Sequence, residues 1–288
     1  MPVLIDIRRR IKSVRNTQQI TQAMKTVSTA KFRKAQRIVL ESRPWWHTLP
    51  GFLSEIFFWT RREEHPLLQM REEKKVEAVV ITSDKGLAGA FNSNLLAASL
   101  SFLEEKAKQA DVRLILMGKK AVNFFRKHPF PVDRSYADKT HKLTAEDLNE
   151  LAQFLIRLYV FNKVDSVYVI YNEFKSILSP RITMNKLLPL EIPKTSEEQL
   201  ALPPDWEPEA LALLNVLLPL YVENHIRHSF FESSAAEQAA RMMAMDNATE
   251  NAEELIRRMT LVLNKVRQAS ITKELLEIMT AVEALRRK

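Results

Sequence analysis

Residues 3–43 contain neither glycine nor proline, and the same holds for residues 220–288. These uninterrupted runs of 41 and 69 residues are rich in Ala, Leu, Lys, Arg, Glu and Gln, the residues that favour helix most. At 1.5 Å per residue they predict helices of roughly 60 and 100 Å. A helix of the second length exceeds what a globular domain can cover, which implies a coiled coil or a shaft.

The apolar spacing agrees. Met245, Ala248, Ala252, Leu255, Met259, Val262, Val266 and Ala269 follow 3-4 spacing, the stripe of a left-handed coiled coil. In the first run Ile7, Ile11 and Val14 begin a matching stripe. It then meets the polar Gln18 and Thr21, and the sequence predicts a phase slip with a restart at Ile20, Met24 and Val27.

Between the runs, strand-like and helix-like segments alternate. KKVEAVVIT, VRLILMG, VDSVYVIYNEF and PRITMNKLLPL read as strands. SNLLAASLSFLEEKAKQA, KKAVNFFRKH and TAEDLNELAQFLIRLYVF read as helices, the last with an N-cap at Thr144. The predicted fold class is α/β: a long antiparallel coiled coil of N- and C-terminal helices, with an inserted doubly wound, Rossmann-like domain. The expected boundaries are 1–60 for the N-terminal helix with its extension, 70–192 for the α/β domain and 209–288 for the C-terminal helix, with a proline-rich linker at 191–208. If both helices start near the inserted domain, the second outreaches the first by ~40 Å. Its bare end then needs a sheath from elsewhere. That end carries a polar band in RQASITKEL (267–275), followed by Leu275, Leu276, Ile278, Met279, Val282 and Leu285.

The net charge is +8, yet residues 1–43 alone hold eleven Lys or Arg against two acids. This segment asks for an acidic partner. Cysteine is absent, which excludes disulfides, thiolate metal sites and thiol redox control. No secretory signal is visible at the N-terminus, and no stretch approaches the ~20 apolar residues that span a bilayer. A reducing, bacterial cytoplasmic setting is expected.

Several motifs invite a chemical reading. SDKGLAGAFN (83–92) follows a strand and precedes a helix, where phosphate loops sit, but it matches neither glycine-rich fingerprint. Gly86 and Gly89 fit a tight turn better. His225 and His228 share a helical face with Glu232, which reads as a solvated face and not as a metal site. No nucleophile elbow is present. Trp45, Trp46, Phe52, Phe57, Phe58 and Trp59 read as a helix packing on the sheet, with a membrane-lying helix as the rival. The basic helix could bind nucleic acid electrostatically, but its charges lie all round it. That rival is kept, as is a nucleotide-binding enzyme with helical arms.

Three long segments resemble one family. IRRRIKSVRNTQQITQAMKTVSTAKFRKAQ resembles the N-terminal helix of the ATP synthase gamma subunits. HPLLQMREEKKVEAVVITSDKGLAGAFNSNL is similar to their first strand and turn, and AARMMAMDNATENAEELIRRMTLVLNKVRQASITKELLEI to their C-terminal helix. The resemblance implies a non-catalytic rotor shaft of the bacterial type, with no cofactor, catalytic residue or metal. The shaft would stand in the central cavity of a hexamer of alpha and beta subunits, with its α/β domain against an epsilon subunit and a membrane c-ring, without nucleic acid, and would meet the inner membrane through the complex at its cytoplasmic face. It couples proton flow to ATP synthesis and hydrolysis on beta. The resemblance further implies that Arg267 and Gln268 meet a beta catch loop and that Arg241, Thr272 and Glu277 sit at coupling positions. Met24 and Lys25 would face an acidic beta loop, and Leu275–Leu285 would turn in an apolar sleeve. Thr26 stands where the family often has a second Met. The lack of cysteine argues against the redox-regulated chloroplast type.

Overall fold

A computed structural model describes residues 2–59, 65–140, 142–176, 180–191, 207 and 210–286. The element order is α1 (Pro2–Trp59), a short 3-10 turn (Pro66–Leu68), β1 (Lys75–Ile81), α2 (Phe91–Ala107), β2 (Asp111–Met117), α3 (Lys119–Phe125), β3 (Val132–Tyr136), α4 (Ala145–Val160), β4 (Ser166–Glu173), β5 (Arg181–Leu188) and α5 (Ala210–Arg286). Two compact units result: residues 29–241, and residues 1–28 with 242–288. The predicted linker lies almost wholly outside the described residues.

In the larger unit five strands form one sheet in the order β3-β2-β1-β4-β5. The first four are parallel, and β5 pairs antiparallel with β4. β1 is buried along its length apart from Lys75, as a central parallel strand covered on both faces must be. Val76, Ala78 and Val80 face Leu95, Leu96 and Leu103 of α2. Val79 and Ile81 face the other way, toward Leu148, Leu151 and Leu155 of α4. β3 was not predicted: VDRSY carries only two apolar residues and sits at the sheet edge, where burial leaves a weak pattern. The expected cap is present, with Thr144 and Asp147 bonding each other's backbone N–H in a capping box.

Both long helices run through the prolines that bound the two uninterrupted runs, close to the expected limits of 60 and 209. α1 continues past Pro44 and Pro50, and α5 starts ahead of Pro219. An internal proline costs about 3 kcal/mol. Beyond Pro44, however, Leu49, Leu53, Ile56 and Phe57 are buried with Leu214, Leu218, Val222 and Ile226 in one cluster. Each such side chain contributes about 1.5–3 kcal/mol, which outweighs the broken ladder bonds. The aromatic segment therefore splits. Phe57 packs inward, whereas Trp45 and Phe52 are exposed. The side chains of Phe58 and Trp59 lie outside the described residues.

In the smaller unit the ends of α1 and α5 pair antiparallel, and the observed seam corrects the predicted one. No phase slip occurs in α1. Leu4, Ile7, Ile11, Val14, Gln18, Thr21, Lys25 and Ser28 keep 3-4 spacing and are buried or half-buried, while Ile20 and Val27 are 60% and 55% exposed. In α5, Met245, Ala252, Met259 and Val266 lie in the seam as expected, but Thr249, Ile256 and Leu263 alternate with them. Leu255 and Val262 face solvent. The cause is a polar inlay: the Thr21 and Thr249 hydroxyls lie 2.8 Å apart, and Lys25 Nζ donates to Asp246 Oδ1 at 2.5 Å. Part-buried polar pairs in the seam fix register where neighbouring apolar stripes would leave it open.

These two pairs place Pro2 opposite about residue 268. About 27 Å of α5 then extends past its partner, at 1.5 Å per residue. The predicted ~40 Å overhang was too long because it ended α1 at Pro44. All the described side chains from Ile271 onward are exposed.

Candidate functional site

In a doubly wound sheet, ligands bind beyond the carboxyl ends of the strands where the strand order reverses. Here that point lies between β1 and β4, and side chains of α1 and α5 fill it. Phe174, just after β4, meets Phe32 edge-on at 5.3 Å between ring centroids. Ala88, Phe91, Ala235, Ala236 and Ala239 close around them in one buried cluster. The alanines let the helices approach closely enough to seal the crevice.

Polar groups lock the same place. The Phe174 amide donates to Glu232 at 2.8 Å. Arg241 of α5 ion-pairs with Glu237 at 2.7 Å. Its guanidinium also donates to the carbonyls of Gly86 and Lys85, at 3.3 and 3.2 Å. Burial pushes the Glu237 carboxyl above its ordinary range, and Arg241 offsets part of that rise. Leu87 and Gly89 both adopt positive φ in this loop, and its Lys85 and Gly86 carbonyls point toward α5. A phosphate cradle needs N–H groups pointing into open space; this loop offers oxygens to a cation.

Asp84 organises the neighbouring loops. It accepts from the amides of Lys119, Asp138 and Thr140 at 2.9, 2.9 and 3.0 Å, and from the Thr140 hydroxyl. Burial raises its carboxyl, but these donors outweigh burial and hold it below its ordinary range. Close by, Gly118 has φ +94°, and a Cβ there would lie 2.4 Å from the Thr82 carbonyl. No larger residue fits.

Arg241, expected at a partner contact, is 6% exposed and bound to its own chain. Lys25 and Met24 are half-buried in the paired ends, and Lys25 is turned toward Asp246. Arg267, Gln268, Thr272 and Glu277 are all exposed on α5. Thr272 donates to the Gln268 carbonyl at 3.0 Å and Glu277 lies 3.7 Å from Lys273. The first three share about one turn, with Glu277 beyond. The predicted set thus divides into an internal anchor and an outward polar band followed by apolar side chains.

The face bearing His225, His228 and Glu232 is buried, not solvated as expected. Trp46 stacks on His228 at 4.2 Å and meets His225 edge-on. His225 is pushed down to about 4, by burial first and then by His228. Among the described residues no cluster of three metal-ligating side chains occurs. Thr249, Asp246 and Glu237 escaped the sequence reading, and Thr21 and Glu232 appear in it without the contacts they make here. The available signal was polar residues recurring at helical spacing within the two runs.

Comparison with known proteins decides the family. A family model described as ATP synthase matches residues 3–285. The ATP synthase gamma chain of Pelotomaculum thermopropionicum is 44% identical over 285 residues, covering 99% of this chain and 100% of the relative. The chain belongs to the ATP synthase gamma chain family. The gamma chain of Solibacter usitatus is 44% identical over 291 residues, 99% of either chain. A chain of the Euglena gracilis mitochondrial ATP synthase, solved as OSCP/F1/c-ring in rotational state 3, superposes with a TM-score of 0.67 at 19% identity, covering 99% of this chain and 95% of that one. One from the Tetrahymena thermophila mitochondrial ATP synthase central stalk/c-ring gives 0.60 at 24%, covering 80% and 99%. These solved chains share the fold. Membership removes the nucleic-acid reading of the basic helix, and the gamma chain is a subunit of an enzyme complex. Among the described residues, no helix is long and apolar enough to cross a membrane.

The gamma-family reading sets an external role for Lys25 against the internal pair seen here. Lys25→Glu places two acids side by side and is expected to cost about 1 kcal/mol, the scale of a partly exposed pair. Adding Asp246→Lys restores the melting temperature. Coupling that stays impaired in the restored swap would assign Lys25 a contact with another subunit as well.

Proposed function

We propose that this gamma chain is the central rotor stalk of a proton-translocating F-type ATP synthase, at the cytoplasmic face of a bacterial membrane. It holds no catalytic residue. Alpha and beta subunits surround the paired helices, while epsilon and the c-ring contact the α/β unit and bring the chain to the membrane. Rotation presents different faces of an asymmetric helix pair to chemically identical beta subunits. Each orientation shifts a beta subunit by the difference in binding free energy between its conformations.

One observation carries this reading. The last turns of α5 expose Leu275, Leu276, Ile278, Met279, Val282 and Leu285, without a partner among the described residues. A contiguous apolar surface of that kind marks a protein contact. An apolar sleeve fits it, because greasiness without directional bonds permits turning. Arg267, Gln268 and Thr272 form the polar band below, with Glu277 set among the apolar turns, and hydrogen bonds there form in some orientations and break in others.

Two variants test this in the purified complex. Arg267→Ala with Gln268→Ala removes contacts worth roughly 1.5–3 kcal/mol, so steady-state hydrolysis falls about ten- to a hundredfold while subunit stoichiometry stays normal. Truncation after Ile278 lowers assembly stability more than activity. A silent double substitution, beside a truncation that abolishes activity in an intact complex, would overturn the polar-band role. ATP hydrolysis by the isolated chain would overturn the non-catalytic assignment.

A further inference from the structure

Next to the buried histidines lies a cavity of about 440 Å³, between Ile38–Leu49 of α1, the first residue of α4 and Leu220–Phe231 of α5. That volume is in the usual range for small-molecule sites, roughly 300–1,000 Å³. Its chemistry is uneven in an informative way. Trp46 is fixed by rings on several sides: it is nearly coplanar in orientation with Tyr221, 7° between planes, and stacks on His228. Trp45 stands at the mouth, 70% exposed. Among the described residues no carboxylate lines the cavity, but Arg227 does. Its guanidinium donates to Asn224 Oδ1 at 2.5 Å, and it forms no ion pair among the described residues. His228 is turned toward Glu232, 3.7 Å away, which leaves Arg227, among the described residues, as the cation facing the space.

Rings held edge and face by their neighbours make a rigid apolar wall that loses little entropy on binding. A half-buried guanidinium without an acid favours a ligand that brings one. We propose that this cavity binds a planar aromatic anion, its rings among Trp45, Trp46 and Tyr221 and its acid group on Arg227. The site is separate from the polar band and the apolar end of α5, so it stands whether or not those act as proposed.

The test uses the purified full chain with anilinonaphthalenesulfonate, an aromatic anion built on a planar naphthalene, and with its uncharged counterpart N-phenylnaphthylamine. Both fluoresce on entering an apolar site. Wild-type chain is expected to show a saturable one-to-one phase with each. Arg227→Gln should weaken the anion about tenfold, the scale of one charge-assisted contact, and leave the neutral probe unchanged. Ala145→Trp, which fills the cavity from the exposed start of α4, should remove the saturable phase for both probes. Ser42→Phe blocks it from the opposite wall and guards against a folding defect in one variant. Binding that survives both blocking variants comes from elsewhere, the bare end of α5 included, and overturns the proposal. Equal weakening of the two probes by Arg227→Gln overturns the anion preference.

Discussion

Replacing Glu77 by Gln is expected to stabilise the α/β unit by about 3 kcal/mol near pH 7 and by almost nothing near pH 4. Glu77 sits in the middle of β1, opposite Arg113 of β2 and Val167 of β4. It is fully buried, and neither carboxylate oxygen has a hydrogen-bond partner among the described residues. Burial pushes its carboxyl up to about 8 from 4.5; the nearby Asp133 adds to the rise and Arg113 offsets part of it. Arg113 gives Glu77 little because its guanidinium is bonded to Asp133, Nε at 2.8 Å. A carboxyl with a raised folded value favours the fold only while protonated. Its contribution is complete below about 4.5 and is lost as pH climbs through about 8. Gln keeps the neutral shape at every pH. Urea unfolding of both chains across this range should give curves that diverge upward with pH. Parallel curves would mean that Glu77 finds a charge partner or water.

Arg241→Ala is expected to destabilise the same unit by about 3–5 kcal/mol, the scale for leaving one member of a buried ion pair alone. The loss has two parts: the Lys85 and Gly86 carbonyls lose their donor, and Glu237 is left buried without its cation. Adding Glu237→Gln should recover roughly half, because a neutral amide suffers less from burial. The two parts also differ in pH dependence. Without Arg241 the Glu237 carboxyl rises further, so the single variant's deficit grows with pH, whereas the double variant's does not. Denaturant midpoints at two pH values separate them. A deficit below about 1 kcal/mol would show that Arg241 is exposed in solution.

The two helical runs were legible because glycine and proline punctuate backbone strongly, and their absence over such lengths leaves few alternatives. The alternating centre was legible for the same kind of reason: β1 and β4 are rich in β-branched and aromatic residues, and Thr144 carries its own cap. Three features were not. Helix through Pro44, Pro50 and Pro219 depends on burial that only the packed neighbours supply. The seam was ambiguous because α5 offers adjacent apolar positions, Leu255 beside Ile256 and Val262 beside Leu263, and a partner's threonine chooses between them. The burial of Arg241 depends on where the Lys85–Gly86 carbonyls point, which a loop reveals only once folded. Arg267, Gln268, Thr272 and Glu277 were picked by family likeness; nothing in their own periodicity marks them.

The filled crevice between β1 and β4 has a further consequence. A ligand in that position can leave while the sheet stays folded. The helix segment Phe230–Arg241 cannot, because its release exposes Phe32, Phe91 and Phe174 together and strips Glu232 and Arg241 of their backbone partners. Segments joined in this way open as one cooperative unit. The amides of β1, of Phe174 and of this stretch of α5 should therefore exchange with deuterium at a common slow rate, while the amides beyond Ile271 exchange orders of magnitude faster. A segment that never opens by itself gives a turning part no slack at its root.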